Sequence, residues 1–420
     1  MTKSVLFSVQ FIEQWYTKLC ANIFEPGFSY GFGTRRIVVI SNEAVIKILC
    51  CLFVLALPVA IAAQDVGFIE YLSGSVSVQH NGEVEDLATD DIGYSLFEYD
   101  LISTGSNGLV ELVLDGVGSS GTKLTIHEDT VFTVETGGQR AYPDTKLKIL
   151  KGSIGLRVTK LLNGSSLTVH TETAAMGVRG TSFNVVTGPD GSVLVVCSEG
   201  KVSCTGYKGD EFFAIPGTGV EKLPAENMGT VSVEKGSEEA FIQTWSQTRK
   251  DIFKSGARIF VKAYWSQWNN IRDLYSSAYN NLVKKSALIQ QYGMKAEASG
   301  YETSGAMVKV KAEVSDEIIE IRKIFSLYEQ VFYRLVELES YHNTGIGAVQ
   351  LDKKTTSEAF FAGFSRKEAE YRSELAVTRY LLRMYLYINR AAGSIGDESL
   401  IEEFFTDDPL GDSKPSGNPF

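Results

Sequence analysis

Histidine and cysteine are scarce in this chain, and each scarcity excludes a kind of chemistry. Four histidines, His80, His127, His170 and His342, are spread over 420 residues, and no His or Cys pair has the spacing of zinc ligands. Of five cysteines, Cys50 and Cys51 fall inside an apolar run and Cys20 lies upstream of it, which leaves Cys197 and Cys204 for a folded region beyond. Positive charge is short as well: 40 Lys and Arg stand against 51 Asp and Glu, a formal net charge of -11. A nucleic-acid surface needs clustered cations to neutralise phosphates, so no nucleic-acid partner is expected.

Long apolar runs are limited to one, ILCCLFVLALPVAIAA at residues 48–63. It falls short of the roughly 20 residues that span a bilayer comfortably. Ala60, Ala62 and Ala63 offer the small residues of a signal-peptidase site, so residues 44–63 read as a secretory signal cleaved near Ala62 or Ala63. Lys47, Arg35 and Arg36 also lie on the side that suits an uncleaved single-span anchor, and that outcome stays open. Residues 1–43 make a long leader for either, and synthesis starting near Val45 or Ile46 would leave them untranslated. Both outcomes put the rest of the chain outside the cytoplasm, in the periplasm or another extracytoplasmic space. In such an oxidising compartment a Cys197–Cys204 disulfide is one outcome. A type II′ turn at Gly200-Lys201 sets the two cysteines face to face across a hairpin, whereas a turn at Glu199-Gly200 makes them diagonal neighbours.

Residues 66–233 alternate apolar and polar side chains between Gly, Asn and Asp punctuation, the pattern of short strands and tight turns. Asn81-Gly82 and Asn163-Gly164 are hairpin-turn signals. LSGSVSV at 72–78 recurs as LKGSIGL at 150–156 and SEGKVSC at 198–204. In each copy a glycine permits a turn, and the residues two and four positions later share one face of the next strand. LTIH at 124–127 is echoed by LTVH at 167–170. Recurrence at unequal spacing predicts an all-β domain that is rolled or solenoid-like.

Residues 237–393 change to helical spacing. Tyr264, Trp268, Ile271, Tyr275 and Leu282 form one stripe; Ile321, Ile324, Tyr328, Val331, Leu335 and Leu338 a second; Tyr371, Leu375, Leu382 and Tyr385 a third. The stripes predict a coiled-coil-like or bundled region of three long helices or helical hairpins, divided near Gly300 to Gly305 and Gly345 to Gly347 and with the intervening Lys, Arg and Glu solvated. Residues 397–420 are acidic, then rich in Pro, Gly and Ser, and are expected to be a disordered tail.

No catalytic constellation emerges. GVGSSGTK at 116–123 nearly spells a phosphate-binding loop, but Thr122 and Lys123 are in the wrong order and a strand follows where a helix N-terminus is needed. Acidic pairs such as Asp90-Asp91 and Asp407-Asp408 have no spacing that converges two carboxylates on one substrate. His127 and His170 stacked on neighbouring β units would make a pH-sensitive or metal-binding pair, against the plainer reading of a surface ladder. Neither cofactor nor metal is expected.

The stretch HTETAAMGVRGTSFNV at 170–185, with YDLISTGSNGLVELVLDG at 99–116 upstream of it, resembles the FecR domain. The resemblance covers about Val66 to Phe213 and rests chiefly on Gly177, Val178, Arg179, Gly180 and Thr181. Gly177 and Gly180 supply freedom for a sharp reversal, and Arg179 between them can bond turn carbonyls or a carboxylate. The motif is therefore expected to be a fold-defining corner rather than a ligand contact. The resemblance implies a regulator that spans the membrane once, with a cytoplasmic segment for a sigma factor and a periplasmic part that senses a receptor; the C-terminal helices are not part of that pattern. The expected function is an exported, noncatalytic binding or signalling module of the cell envelope that meets an envelope protein or receptor. The alternatives are a structural envelope protein that forms homo-oligomers through its helices and, less favoured, a carbohydrate-active hydrolase.

Overall fold

In the computed structural model the described residues are 65–114, 121–139, 142–159, 161, 165–178, 180–206, 209–224 and 226–393. The leader, the apolar run with Ala60, Ala62 and Ala63, the Asn163-Gly164 turn, Arg179 and the tail lie outside them. Alternation produces strands where it is expected: β1 (Gly67–Ser73), β2 (Val76–His80), β3 (Glu83–Leu87), β4 (Ser95–Leu96), β5 (Leu101–Thr104), β6 (Leu109–Leu114), β7 (Thr122–Ile126), β8 (Val131–Gln139) and β9 (Tyr142–Lys151). They continue as β10 (Ser153–Arg157), β11 (Ser166–His170), β12 (Ala174–Val178), β13 (Ser182–Thr187), β14 (Val193–Glu199), β15 (Val202–Gly206), β16 (Glu211–Ala214), β17 (Thr218–Lys222) and β18 (Gly229–Ser232).

These strands form two nine-stranded sheets, ordered β4-β1-β6-β7-β10-β13-β14-β17-β18 and β3-β2-β5-β8-β9-β11-β12-β15-β16. Inward side chains from both sheets, among them Leu124, Ile126 and Phe183 from the first and Phe132, Val169 and Met176 from the second, share one core. Each of the three repeated glycines lies where the chain leaves one sheet for the other. Gly74 joins β1 to β2, Gly152 joins β9 to β10 and Gly200 joins β14 to β15, with φ of 71°, 94° and 87°. The inward residues that follow them, Val76 and Val78, Ile154 and Leu156, Val202 and Cys204, are all buried.

The described residues form the expected all-β region as two sheets and do not show a solenoid. Neighbouring strands pair antiparallel except β9 with β11, and several of the pairs, such as β6–β7, β8–β9, β11–β12 and β13–β14, are consecutive in the chain. Nor do Cys197 and Cys204 face each other in a hairpin: β14 pairs with β13 and β17, while β15 pairs with β12 and β16. Both cysteines are free and buried. At Asn81-Gly82 the expected tight turn does form, with φ of 51° and 85°, between β2 and β3.

Four helices follow among the described residues: α1 (Glu238–Lys284), α2 (Ser286–Ala298), α3 (Gly305–His342) and α4 (Ser357–Ala391). Ser304 and Thr356 start α3 and α4 by accepting hydrogen bonds from the Met307 and Ala359 amides. The break between α1 and α2 falls at Lys285, with φ of -98° and ψ of 0°, where neither glycine nor proline signals it. Every residue of the three stripes is buried except Ile324, which is half-buried. Tyr99, Leu101, Val131 and Leu150, from the outer face of the second sheet and its margins, join the helical core. Val186, Leu194 and Val196, on the outer face of the first sheet, pack with Trp245 of α1.

Candidate functional site

The FecR-like signature occupies a corner, but its glycines are unequal. Gly177 lies within β12, paired with Thr168 and Ser203, and a Cβ there would meet nothing within 4 Å. It is an ordinary strand residue, and the reversal expected of it belongs to Gly180, whose φ is 65°. Val178 is buried in the core, and Thr181 is buried with its carbonyl accepting from the Val158 amide at 2.8 Å. The Gly180 carbonyl and Thr181 border the Gly200 corner closely enough that a Cβ on Gly200 would lie 2.7 Å from the Thr181 methyl and 2.9 Å from the Gly180 oxygen. The signature thus packs one inter-sheet corner on another.

The two cysteines are chemically quiet. Burial raises the Cys197 thiol and pushes Cys204 up to about 12, so neither is a ready nucleophile. His127 follows the end of β7 in one sheet and His170 ends β11 in the other, so the two are not on neighbouring strands. Burial lowers His127, and burial together with Lys146 and Lys148 lowers His170 to about 4. No group of three His, Cys, Asp or Glu among the described residues is placed to hold a metal ion.

Charge concentrates where the helices meet the β region, which the helical spacing did not foretell. Glu329, Arg334, Arg379 and Arg383 were expected in solvent between the apolar stripes, yet all are buried. Glu329 of α3 accepts from Arg379 of α4 and from Lys148 of β9, the latter at 3.0 Å; Lys148 also donates to Ser326 at 2.8 Å. Burial alone would raise the Glu329 carboxyl, but the Arg379 and Lys148 charges hold it below the usual range. Asp100 accepts from His80 at 2.8 Å, from Arg383 at 3.0 Å and from the Phe97 amide at 2.9 Å. Burial nevertheless keeps its carboxyl above the usual range.

Three further pairs extend this polar layer. Arg390 meets Glu98 at 2.9 Å. Glu172, in the turn between β11 and β12, accepts from Tyr264 at 2.7 Å and from Arg334 at 3.3 Å. Asp190, in the β13–β14 turn, accepts from Arg249 of α1 at 2.9 Å. These carboxylates and cations neutralise one another inside the molecule, so their arrangement fastens helices to sheets and offers no converging acid–base pair to a substrate. The signal available in sequence was the spacing of Arg379, Arg383 and Arg390, which places three guanidinium groups on the face of α4 that also carries Leu375 and Leu382.

The family described as FecR protein matches residues 100–203, an interval holding Asp100, Lys148, Glu172, Asp190 and the Gly177–Thr181 corner. No curated protein matches the chain. Two crystal structures of a candidate anti-sigma factor from Parabacteroides distasonis ATCC 8503 are similar over part of it. They are 18% and 19% identical, each with a TM-score of 0.29, and cover 33% and 34% of this chain. The chain spans 62% and 64% of those two proteins, under two thirds of their length. Among the described residues no helix is long and apolar enough to cross a membrane.

Proposed function

Starting from a chain that carries a FecR domain over residues 100–203, we propose that it is a noncatalytic binding and signalling module of the cell envelope that recognises another protein. The observation that carries this reading is the open edge of β16. This strand closes one end of its sheet and, among the described strands, pairs only with β15. Phe213 and the adjoining Ile215 are 38% and 41% exposed there. The opposite edge, β3, is guarded by Glu83, Glu85 and Asp86, all exposed, the charge that keeps an edge from pairing with a foreign strand. An end strand that exposes an apolar side chain suits an added strand from a protein partner. The helices pack behind the other end of this sheet, at β2, β5 and β9, and leave β16 beyond them.

The Cys197 and Cys204 thiols and the signature corner serve the fold in this reading, and export through residues 44–63 places the module outside the cytoplasm. A photo-crosslinking residue at position 213 is expected to yield one discrete protein adduct in the native envelope, and Phe213→Lys to abolish capture by a crosslinker at position 215. Equal adducts from position 84 on the guarded edge would overturn the reading.

A second reading, a structural protein that oligomerises through its helices, has support in Ile252, Ile259 and Leu274, which fall on one side of α1 and are 44%, 54% and 61% exposed. Sedimentation of the full chain separates the two: a monomer is expected of the first, a concentration-independent oligomer dissociated by Ile259→Lys of the second.

A further inference from the structure

Between the outer face of the first sheet and one side of α1 lies an open cleft of about 750 Å³, within the size range of small-molecule sites. Its floor is formed by three neighbouring strands, on which Thr125 of β7, Gly155 of β10 and Asn184 of β13 stand in register. Gln243 and Ser246 of α1 contribute to the wall, and Tyr341 of α3 to one end. We propose that this cleft binds a neutral, hydroxyl-rich ligand, a short stretch of saccharide chain, lying across Gly155.

Gly155 is the first ground for this. Glycine in a strand interior weakens it, and it is found at bulges, at close backbone approaches or where a ligand comes near. No bulge is present: β10 keeps unbroken register with β7 on one side and β13 on the other. No backbone lies against it either, since the nearest atoms to a Cβ at this position belong to the side chains of Asn184, Thr125 and His127, at 2.9, 3.7 and 3.8 Å. What remains is the space above the glycine, which opens into the cleft.

The polar groups around that space are the second ground. The side chains of Thr125, His127 and Asn184 make no hydrogen bond to other described residues, in contrast to Thr130 and Thr187 just beyond them, whose hydroxyls are tied to backbone. Gln243 and Ser246 are likewise uncommitted on the facing wall. Burial lowers His127, so its imidazole is neutral near pH 7 and has one donor and one acceptor to offer. Hydroxyls, amides and a neutral imidazole match the paired donor and acceptor character of sugar hydroxyls. At the margins Lys151 and Lys250 stand against Glu128, Asp129, Glu239 and Glu337, the last paired with Arg334, so no positive field selects a phosphate or a polyanion.

This inference does not depend on the β16 edge and is tested apart from it. Isothermal titration of the full chain with maltotetraose, cellotetraose and chitotetraose, with tetragalacturonate as the charged control, is expected to show binding of at least one neutral oligosaccharide and none of the control. Gly155→Val fills the floor while supplying a good strand former, and is expected to weaken binding at least tenfold with the melting temperature retained. Gln243→Trp, on the exposed wall and outside the strand pairing, is expected to do the same and carries the test if Gly155→Val fails to fold. Binding of none of the three neutral sugars, undiminished binding in a folded Gly155→Val or in Gln243→Trp, or occupancy by an extended peptide in their place would each overturn the assignment.

Discussion

Glu329 sets one negative charge against two cations where water is nearly excluded, and the consequence of disturbing it follows from which charges would be left alone. Glu329→Gln keeps the shape but strands Arg379 and Lys148 in the interior. Removing one member of such a group costs about 3–5 kcal/mol, whereas replacing the whole group by apolar side chains is often neutral. Chemical denaturation is therefore expected to show a loss of that order for Glu329→Gln and a smaller one for the triple change Glu329→Leu, Arg379→Met and Lys148→Met. The wild-type carboxyl also makes stability depend on pH. Its folded value lies below the ordinary 4.5, so the unfolded chain binds the proton more readily. The contribution is complete above the ordinary value and is lost as pH falls through the folded one. Denaturant midpoints of the wild type should decline on acidification from about pH 5, with a shallower decline in the triple variant.

At the scale of elements the corners decide the architecture, and they are not equally replaceable. A Cβ at Gly152 would fall 2.3 to 2.7 Å from Thr130, in a backbone with φ of 94°. Gly180 has a positive φ but open space, so alanine there faces only the left-handed backbone, at about 1–2 kcal/mol. Gly177 faces neither obstacle. Gly152→Ala should therefore lower the melting temperature most, Gly180→Ala moderately and Gly177→Ala hardly at all; equal losses at 152 and 177 would contradict the assigned corners. The repeats at 72–78, 150–156 and 198–204 were legible because a glycine followed by inward residues at plus two and plus four is a local pattern. Where each corner led was not legible, since sheet membership depends on pairing with strands far along the chain. The same limit hid the buried charges. Local spacing sets Arg379 and Arg383 beside the apolar stripe but names no partner for them, since Gln79 and Asp100, which receive them, lie about 300 and 283 residues away. The cleft floor escaped for the same reason, because Thr125, Gly155 and Asn184 meet only through register.

At the scale of the whole molecule, the β region and the helices have separate cores joined across the outer face of the second sheet, with a smaller seat for Trp245 of α1 on the first, and the energy of the larger junction decides whether they unfold together. Parting them would expose Tyr99, Leu101, Val131 and Leu150, which pack into the helical core. At about 1.5–3 kcal/mol for each large apolar side chain, the four together contribute roughly 6–12 kcal/mol, the same range as the net stability of an ordinary domain, about 5–15 kcal/mol. A state with the helices detached and the sheets intact is then too unfavourable to accumulate. Tryptophan emission chiefly follows α1, since three of the four tryptophans, Trp245, Trp265 and Trp268, lie on it and only Trp15 does not, while hydrogen exchange in peptides covering β2 and β5 follows the second sheet. In urea the two are expected to change at the same midpoint. Leu101→Asp, which places a charge in the junction without touching the core between the sheets, should separate them, with emission changing first because the helices lose their apolar seat. Two midpoints in the wild type would instead mean that sheets and helices stand independently, and that a partner held at the β16 edge could not be sensed through the helical layer.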